Sequence, residues 1–280
     1  MKQRYLLSRR GVLGAFVGTA LLPATSRAER KMSYNEFFEV TRTELFIPGL
    51  HPSHDGLVIA QLSDIHIGRG SPDGRVISAV RMVNEEAPDL VVLTGDYVTT
   101  KRDPYERVPA LLQGINAPTY AVLGNHDHYT DPAYLRRGLE GVGYTVLQNE
   151  HSVLRLKGAD LNVLGLDDST THNDDVEKTF KANPTGSRLV LAHTPTAAKK
   201  LPPWKGMLCL SGHTHGGQLH VPKLTEGIFT AGGMPYVRGL YSVRGNQLYV
   251  NRGLGFGRGT VLPRLNSDPE LSLITLRAIG

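Results

Sequence analysis

Five short clusters of polar residues carry side chains suited to metal chemistry: Asp64-Ile65-His66, Gly95-Asp96, Gly124-Asn125-His126-Asp127, His193, and Gly212-His213-Thr214-His215. They offer carboxylate and amide oxygens and imidazole nitrogens, but no thiolate. That donor set suits manganese, iron, zinc or a mixture of them better than copper(I) or an iron–sulfur centre, and it argues against an all-oxygen calcium site. In Asp64-x-His66 and His213-x-His215 the spacing of two predicts an extended segment with both side chains on one side, as two ligands of one cluster require. Taken singly, each cluster has a structural explanation. Gly95-Asp96 reads as a turn with a capping aspartate, and His193 near Pro195 as a satisfied loop histidine. Their joint placement points to a metal site, because each falls at the same end of its own strand. His51, His54, His128, His151, His172 and His220 lack that context and read as surface or loop residues, with His128 and His220 close enough to the motifs to line a rim.

The elements that must position these clusters are short apolar runs alternating with helical patterns. Residues 57–63, 90–94, 119–123, 188–192 and 207–211 are strand-like, and each runs directly into one of the polar clusters. Carboxyl ends of strands in open α/β sheets are where ligands bind, so side chains distant in sequence can converge there. Val76, Ile77, Val80 and Val83 recur at helical spacing before Ala87-Pro88 stops the element; further helices are expected near 104–115 and 132–139. After Gln218 no helical pattern is evident, and 240–243 with 247–250 read as a hairpin across Arg244-Gly-Asn246. The order, βαβα early and β-rich late, predicts an α/β fold of two packed sheets with helices outside.

The formal charge of +5 is unevenly distributed. Five of the 31 basic residues fall in residues 1–28, which hold no acidic residue, leaving 26 to face 26 acidic side chains. The body is neutral, so no nucleic-acid binding is indicated. Residues 1–28 combine a basic start, a short apolar stretch and small residues suited to cleavage, the layout of a signal peptide. Arg9-Arg10 resembles a twin-arginine export signal, which predicts a periplasmic or cell-envelope location, with membrane association if the segment is retained. Residues 29–44 read as a leader and 45–280 as one domain. The single cysteine, Cys209, excludes a disulfide framework and reads as a small buried hydrophobe.

In this order the clusters resemble the calcineurin-like metallophosphoesterases, over residues 58–218. Gly216-Gly-Gln218, Asn251-Arg-Gly-Leu-Gly255 and Arg264-x-Asn-x-x-Pro-Glu270 further resemble a bacterial branch of exported or membrane-associated phosphodiesterases, the YaeI/YkuE-like group. The resemblance implies a four-layer αββα sandwich of two mixed β-sheets flanked by helices. It implies two divalent metal ions per chain, manganese foremost, with iron, zinc or a mixed pair as alternatives. One would be held by Asp64, His66, Asp96 and His215, the other by Asp96, Asn125, His193 and His213, with Asp96 shared. Attack by a hydroxide bridging the two ions would cleave a phosphate ester. His126 would act as general acid or transition-state donor, with Asp127 orienting its imidazole. Arg252 is as well explained by an ion pair as by substrate contact and stays outside the site.

The function implied is therefore an exported phosphodiesterase acting on a small or lipid-linked phosphate ester. The alternatives are a pyrophosphatase acting on a nucleotide-linked lipid precursor of the UDP-diacylglucosamine type and a non-catalytic metal-binding scaffold. Substrate choice is expected to reside in loops 68–75, 128–133 and 222–239.

Overall fold

The computed structural model describes residues 26–33, 36–68, 70–203, 206–257 and 264–279. Nearly all of the expected signal peptide, residues 1–25, lies outside them. No helix among the described residues is long and apolar enough to cross a membrane.

One sheet has seven strands, in the order β1 (Ser26–Ser33), β2 (Glu36–Ile47), β13 (Glu270–Ala278), β3 (Val58–Leu62), β4 (Leu90–Thr94), β5 (Thr119–Val122) and β6 (Thr145–Val146). Strands β3 to β6 are mutually parallel, while β13 pairs antiparallel to β3 and parallel to β2. The second sheet has six, in the order β11 (Gly239–Val243), β12 (Asn246–Val250), β10 (Leu208–Ser211), β9 (Ser187–Leu191), β8 (Ala159–Gly165) and β7 (Glu150–Leu156). Its middle four strands are parallel and its two edges antiparallel.

Side-chain alternation along each strand builds the layers. Ile59, Leu90, Val92 and Val122 of the first sheet meet Val163, Leu189, Leu191 and Leu210 of the second in a core between the sheets. The opposite face of the first sheet, with Ala60, Leu62, Val91 and Leu93, packs on helices α1 (Asp73–Glu86), α2 (Val108–Leu112) and α4 (Pro132–Gly141). The opposite face of the second, with Leu164, Val190 and Cys209, packs on a 3-10 segment at Pro195–Lys200 and on α5 (Val176–Phe180). The result is the expected αββα sandwich. A further single-turn helix, α3 (Asn125–His128), follows β5, and α6 (Leu224–Ala231) follows β10.

Three expectations change. The leader at 29–44 contributes most of β1 and much of β2, which lies inside the sheet with Phe38 and Val40 fully buried. Its inward Thr41 gave no apolar signal because its hydroxyl is satisfied by Glu270 and Ser272 on or beside β13. The helix expected over 104–115 shrinks to a 3-10 turn at Tyr105–Arg107 and the five-residue α2, since Pro104 and Pro109 break continuous amide pairing. Residues 224–231 form a helix where none was expected.

Candidate metal centre

Strands β3, β4 and β5 of one sheet and β9 and β10 of the other deliver their carboxyl ends to one place, where the two sheets meet. Beyond the strands the loops stay zipped: the amides of Asp64, His66 and Ile67 donate to the carbonyls of Gly95, Asp96 and Tyr97 at 2.7–3.1 Å. The loop after β10 joins them through the His213 amide, which donates to the Asp64 carboxylate at 2.9 Å. Two glycines permit this closeness. A Cβ on Gly212 would lie 1.9 Å from Ser63 Oγ and 2.2 Å from Asp64 Oδ2, and one on Gly124 would lie 2.2 Å from Asp96 Oδ1.

Asp64, His66, Asp96, His213 and His215 all have positive φ, between 49° and 71°. The extended geometry expected for the two i, i+2 pairs is therefore wrong. These residues lie past the strand ends in left-handed conformations, which non-glycine residues adopt at a cost of order 1–3 kcal/mol each and which concentrate at functional sites. Asp64 and His66 stay together, whereas His213 and His215 part. Asp64, His66 and His215 form one group and Asp96, His193 and His213 another, each with its donor atoms within 4.8 Å of one another. Asn125 joins the second group, with Oδ1 3.0 Å from His213 Nδ1.

The arrangement fits cations. His66 Nδ1 faces the Val98 carbonyl at 3.2 Å and His193 Nδ1 faces the Thr94 carbonyl at 2.8 Å, so those nitrogens carry the protons and Nε2 points inward. There His66 Nε2 lies 3.1 Å from His215 Nε2, and His193 Nε2 lies 3.1 Å from His213 Nδ1. Imidazole nitrogens confronted across a buried space, with carboxylates beside them, call for positive charge between them. The electrostatics agree. Burial holds His66 down to about 4, that is, neutral. Burial also opposes a charge on His193, but Asp96, Asp64 and Asp168 overcome it and push His193 up to about 10. Desolvation works against the Asp96 anion, yet His193 and His66 keep it ionised well below the usual carboxylate range. Asp96 Oδ2 is 3.2 Å from His193 Nε2 and 3.8 Å from His66 Nε2, so it reaches toward both groups.

His126 borders the site. Its amide donates to Asp96 Oδ1 at 3.0 Å, its Nδ1 faces the Thr99 carbonyl at 2.7 Å, and its ring stands edge-on to His66, 5.3 Å away between centroids. The proton it can exchange is therefore the one at Nε2. Asp127 does not orient it. Asp127 Oδ2 accepts from the amides of Asp96 and Gly124, and Oδ1 from that of Tyr97, each at 2.8 Å. These buried amides need an acceptor, and the carboxylate that supplies it clamps the β4 and β5 loops together. Burial and the neighbouring Asp96 raise the Asp127 carboxyl to about 7, against the pull of those amides.

Other corrections follow from burial. His54 is fully buried against Ser187 rather than superficial, and His220 is buried and bonded to Glu226. His128 is paired with Asp167 at 2.6 Å. Arg252 sits in an ion pair with Glu39 and Glu270, which accounts for it without a substrate. Composition gave no sign of Thr94, Val98 and Thr99, which act through backbone carbonyls. Arg264, part of a quoted motif, places a guanidinium nitrogen 3.0 Å from His215 Nδ1.

The model of the calcineurin-like phosphoesterase family matches residues 57–217. The chain is 32% identical over 288 residues to the uncharacterized metallophosphoesterase YkuE of Bacillus subtilis (strain 168), covering 99% of this chain and 98% of that protein. It is 34% identical over 284 residues to the phosphodiesterase YaeI of Escherichia coli (strain K12), covering 97% and 100%. To the UDP-2,3-diacylglucosamine pyrophosphatase LpxG of Chlamydia trachomatis serovar D it is 28% identical over 295 residues, covering 84% and 88%.

Proposed function

The chain belongs to the calcineurin-like phosphoesterase family and is a phosphoester hydrolase, and from that premise we propose that it is an exported phosphodiesterase with a two-metal centre. The observation that carries the proposal is the pair of donor groups meeting at Asp96. In this reading Asp64, His66, Asp96 and His215 hold one ion, and Asp96, Asn125, His193 and His213 the other, with manganese first among the candidates. Divalent ions there would supply Lewis acidity, activating water and offsetting charge on the phosphoryl oxygens.

The chain's own residues do the rest. The Thr94 and Val98 carbonyls hold His193 and His66 at Nδ1, so both rings present Nε2 to the site; His66 offers a lone pair there, and His193 would give up its Nε2 proton to a cation. The His126 amide turns the Asp96 carboxylate so that Oδ2 faces both groups. His126 Nε2, with its ring locked at Nδ1, gives a proton to the departing oxygen. Asn125 contributes a neutral oxygen, which keeps the site's charge favourable to an anionic diester. The basic, apolar residues 1–28 support export by the twin-arginine machinery to the periplasm or cell envelope.

Purified protein supplied with Mn²⁺ should hydrolyse bis-p-nitrophenyl phosphate and contain two metal ions per chain by elemental analysis. Asp96→Asn and His213→Ala should each lower kcat/KM by about 10³-fold or more, on the scale of removing a group that acts only in the transition state. Unchanged activity in either variant rejects the site. The LpxG likeness favours a second reading, pyrophosphatase action on a nucleotide-linked lipid. A panel of simple diesters against UDP-2,3-diacylglucosamine separates the two, and metal binding without turnover of either would leave only a scaffold.

A further inference from the structure

Helix α6 is turned inside out. Its buried residue is Thr225, 6% exposed, whereas Leu224 and Ile228, one turn apart on the same face, are 58% and 62% exposed. With Gly227 and Ala231 they form a helix face that bears no polar side chain and stands largely open to solvent. Exposed apolar residues also flank the helix in the chain and beside it. Val221, exposed, accepts the Thr225 amide at its carbonyl, and exposed Leu219 forms a bridge with exposed Leu265. Ordinary amphipathic helices bury such a stripe, and a contiguous apolar surface left in water marks a site of association.

Charge identifies the partner. Between Leu219 and Leu240 the chain carries Lys223 and Arg238 against Glu226 alone, and the Glu226 carboxylate is engaged by His220 at 2.7 Å. Lys223 immediately precedes the helix and is exposed. Arg238 donates to the Asn266 carbonyl, next to Leu265. An apolar helix face edged by basic groups is the pattern of a helix lying in the interface of an anionic bilayer, with its leucine and isoleucine among the acyl chains and its cations at the headgroups. The fold holds this face beside the metal centre. Thr225 packs against Gly217, and Gly217 belongs to the 3-10 turn His215–Gly217 that begins with a candidate ligand.

We propose that the surface formed by Leu219, Val221, Leu224, Ile228 and Leu265 docks on an anionic phospholipid bilayer. Docking stands apart from the metal chemistry and is tested without it. Cys209 is fully buried, so in the full chain Ile228→Cys can be labelled selectively with an environment-sensitive fluorophore. Vesicles of phosphatidylglycerol and phosphatidylcholine should shift its emission to the blue, and brominated acyl chains should quench it. The same label at Val153→Cys, on the opposite edge strand of the second sheet, should not respond. In co-sedimentation, Leu224→Asp/Ile228→Asp should weaken partition into these vesicles at least tenfold and leave the melting temperature near that of wild type. Lys223→Glu should weaken binding to the anionic vesicles and not to pure phosphatidylcholine.

A label at 228 that stays in water, or a double aspartate variant that sediments like wild type, overturns the proposal. So does a concentration-dependent dimer, seen by ultracentrifugation without vesicles and abolished by the same variant, which would assign the face to a second copy of the chain. Failure of the wild type to cleave any diester would count against the proposed function and leave the fluorescence result standing.

Discussion

The carboxyl ends of the central strands and helix α6 break the ordinary rule of burial in opposite directions. At the strand ends Asp64, His66, Asp96, Asp127 and His193 are at most 1% exposed, while Leu224 and Ile228 on α6 stand in water. Both arrangements cost free energy, but they are compensated differently. The buried set answers itself: carboxylates hold His193 charged, backbone carbonyls orient imidazoles, and amides saturate Asp127. The exposed set has no such internal answer among the described residues. A violation closed within the chain marks a prearranged site, and one left open marks a surface awaiting something else.

Substitutions can break this contrast, beginning with the largest expected effect. His126→Ala should lower kcat by about 10²–10⁴-fold, the usual yield of a positioned proton donor, with metal content and melting temperature near wild type. A matching fall in stability would make His126 part of the scaffold and blur the contrast. Asp127→Asn puts a donor against backbone amides that need an acceptor and should destabilise the fold by about 3 kcal/mol in urea titrations, with activity falling as the two loops part. If stability were unchanged, the clamp would not be what closes the buried set.

The His128–Asp167 pair offers a weaker test through pH. Burial opposes the imidazolium, but the Asp167 carboxylate outweighs it and raises His128 above its ordinary value. The folded state then binds a proton more readily than the unfolded chain, so the pair's stabilisation is full below the unfolded value of about 6.5 and lost as pH rises through the folded pKa. Melting temperatures of wild type and His128→Gln should differ most below the unfolded value of about 6.5 and converge as pH rises through the folded pKa, with a gap worth less than about 1 kcal/mol. Convergence toward acid would reverse the sign and refute the pairing. The smallest effect belongs to Leu224→Asp/Ile228→Asp, which should leave stability within about 0.5 kcal/mol of wild type, because these side chains stand more than half exposed. A large loss would show that α6 is packed after all.

The donor groups were legible in the sequence because their chemistry is written in residue types and each follows an apolar run. Their backbone was not, since left-handed φ at Asp64 or His213 depends on loops from three other strands. Asp127 misled for a related reason: its neighbour in sequence is His126, but the amides that claim it come mainly from the β4 loop. In β2, the inward Thr41 is matched by Glu270 and Ser272, more than 200 residues away, so local alternation looked interrupted. Helix α6 was hidden because Pro222, Gly227, Gly232 and Gly233 punctuate it and its apolar residues face away from the core they normally announce.

Strand β13 carries a consequence for the order of assembly. It enters the sheet between β2 and β3, yet follows them by more than 200 residues. Until residues 270–278 have been synthesised, β2 and β3 both present unpaired edges, which readily recruit strands from other chains. The first sheet therefore closes only after translation has passed its last strand, through contacts of very long sequence separation that fold slowly. Nascent chains stalled before Glu270 would be the species most in need of a chaperone.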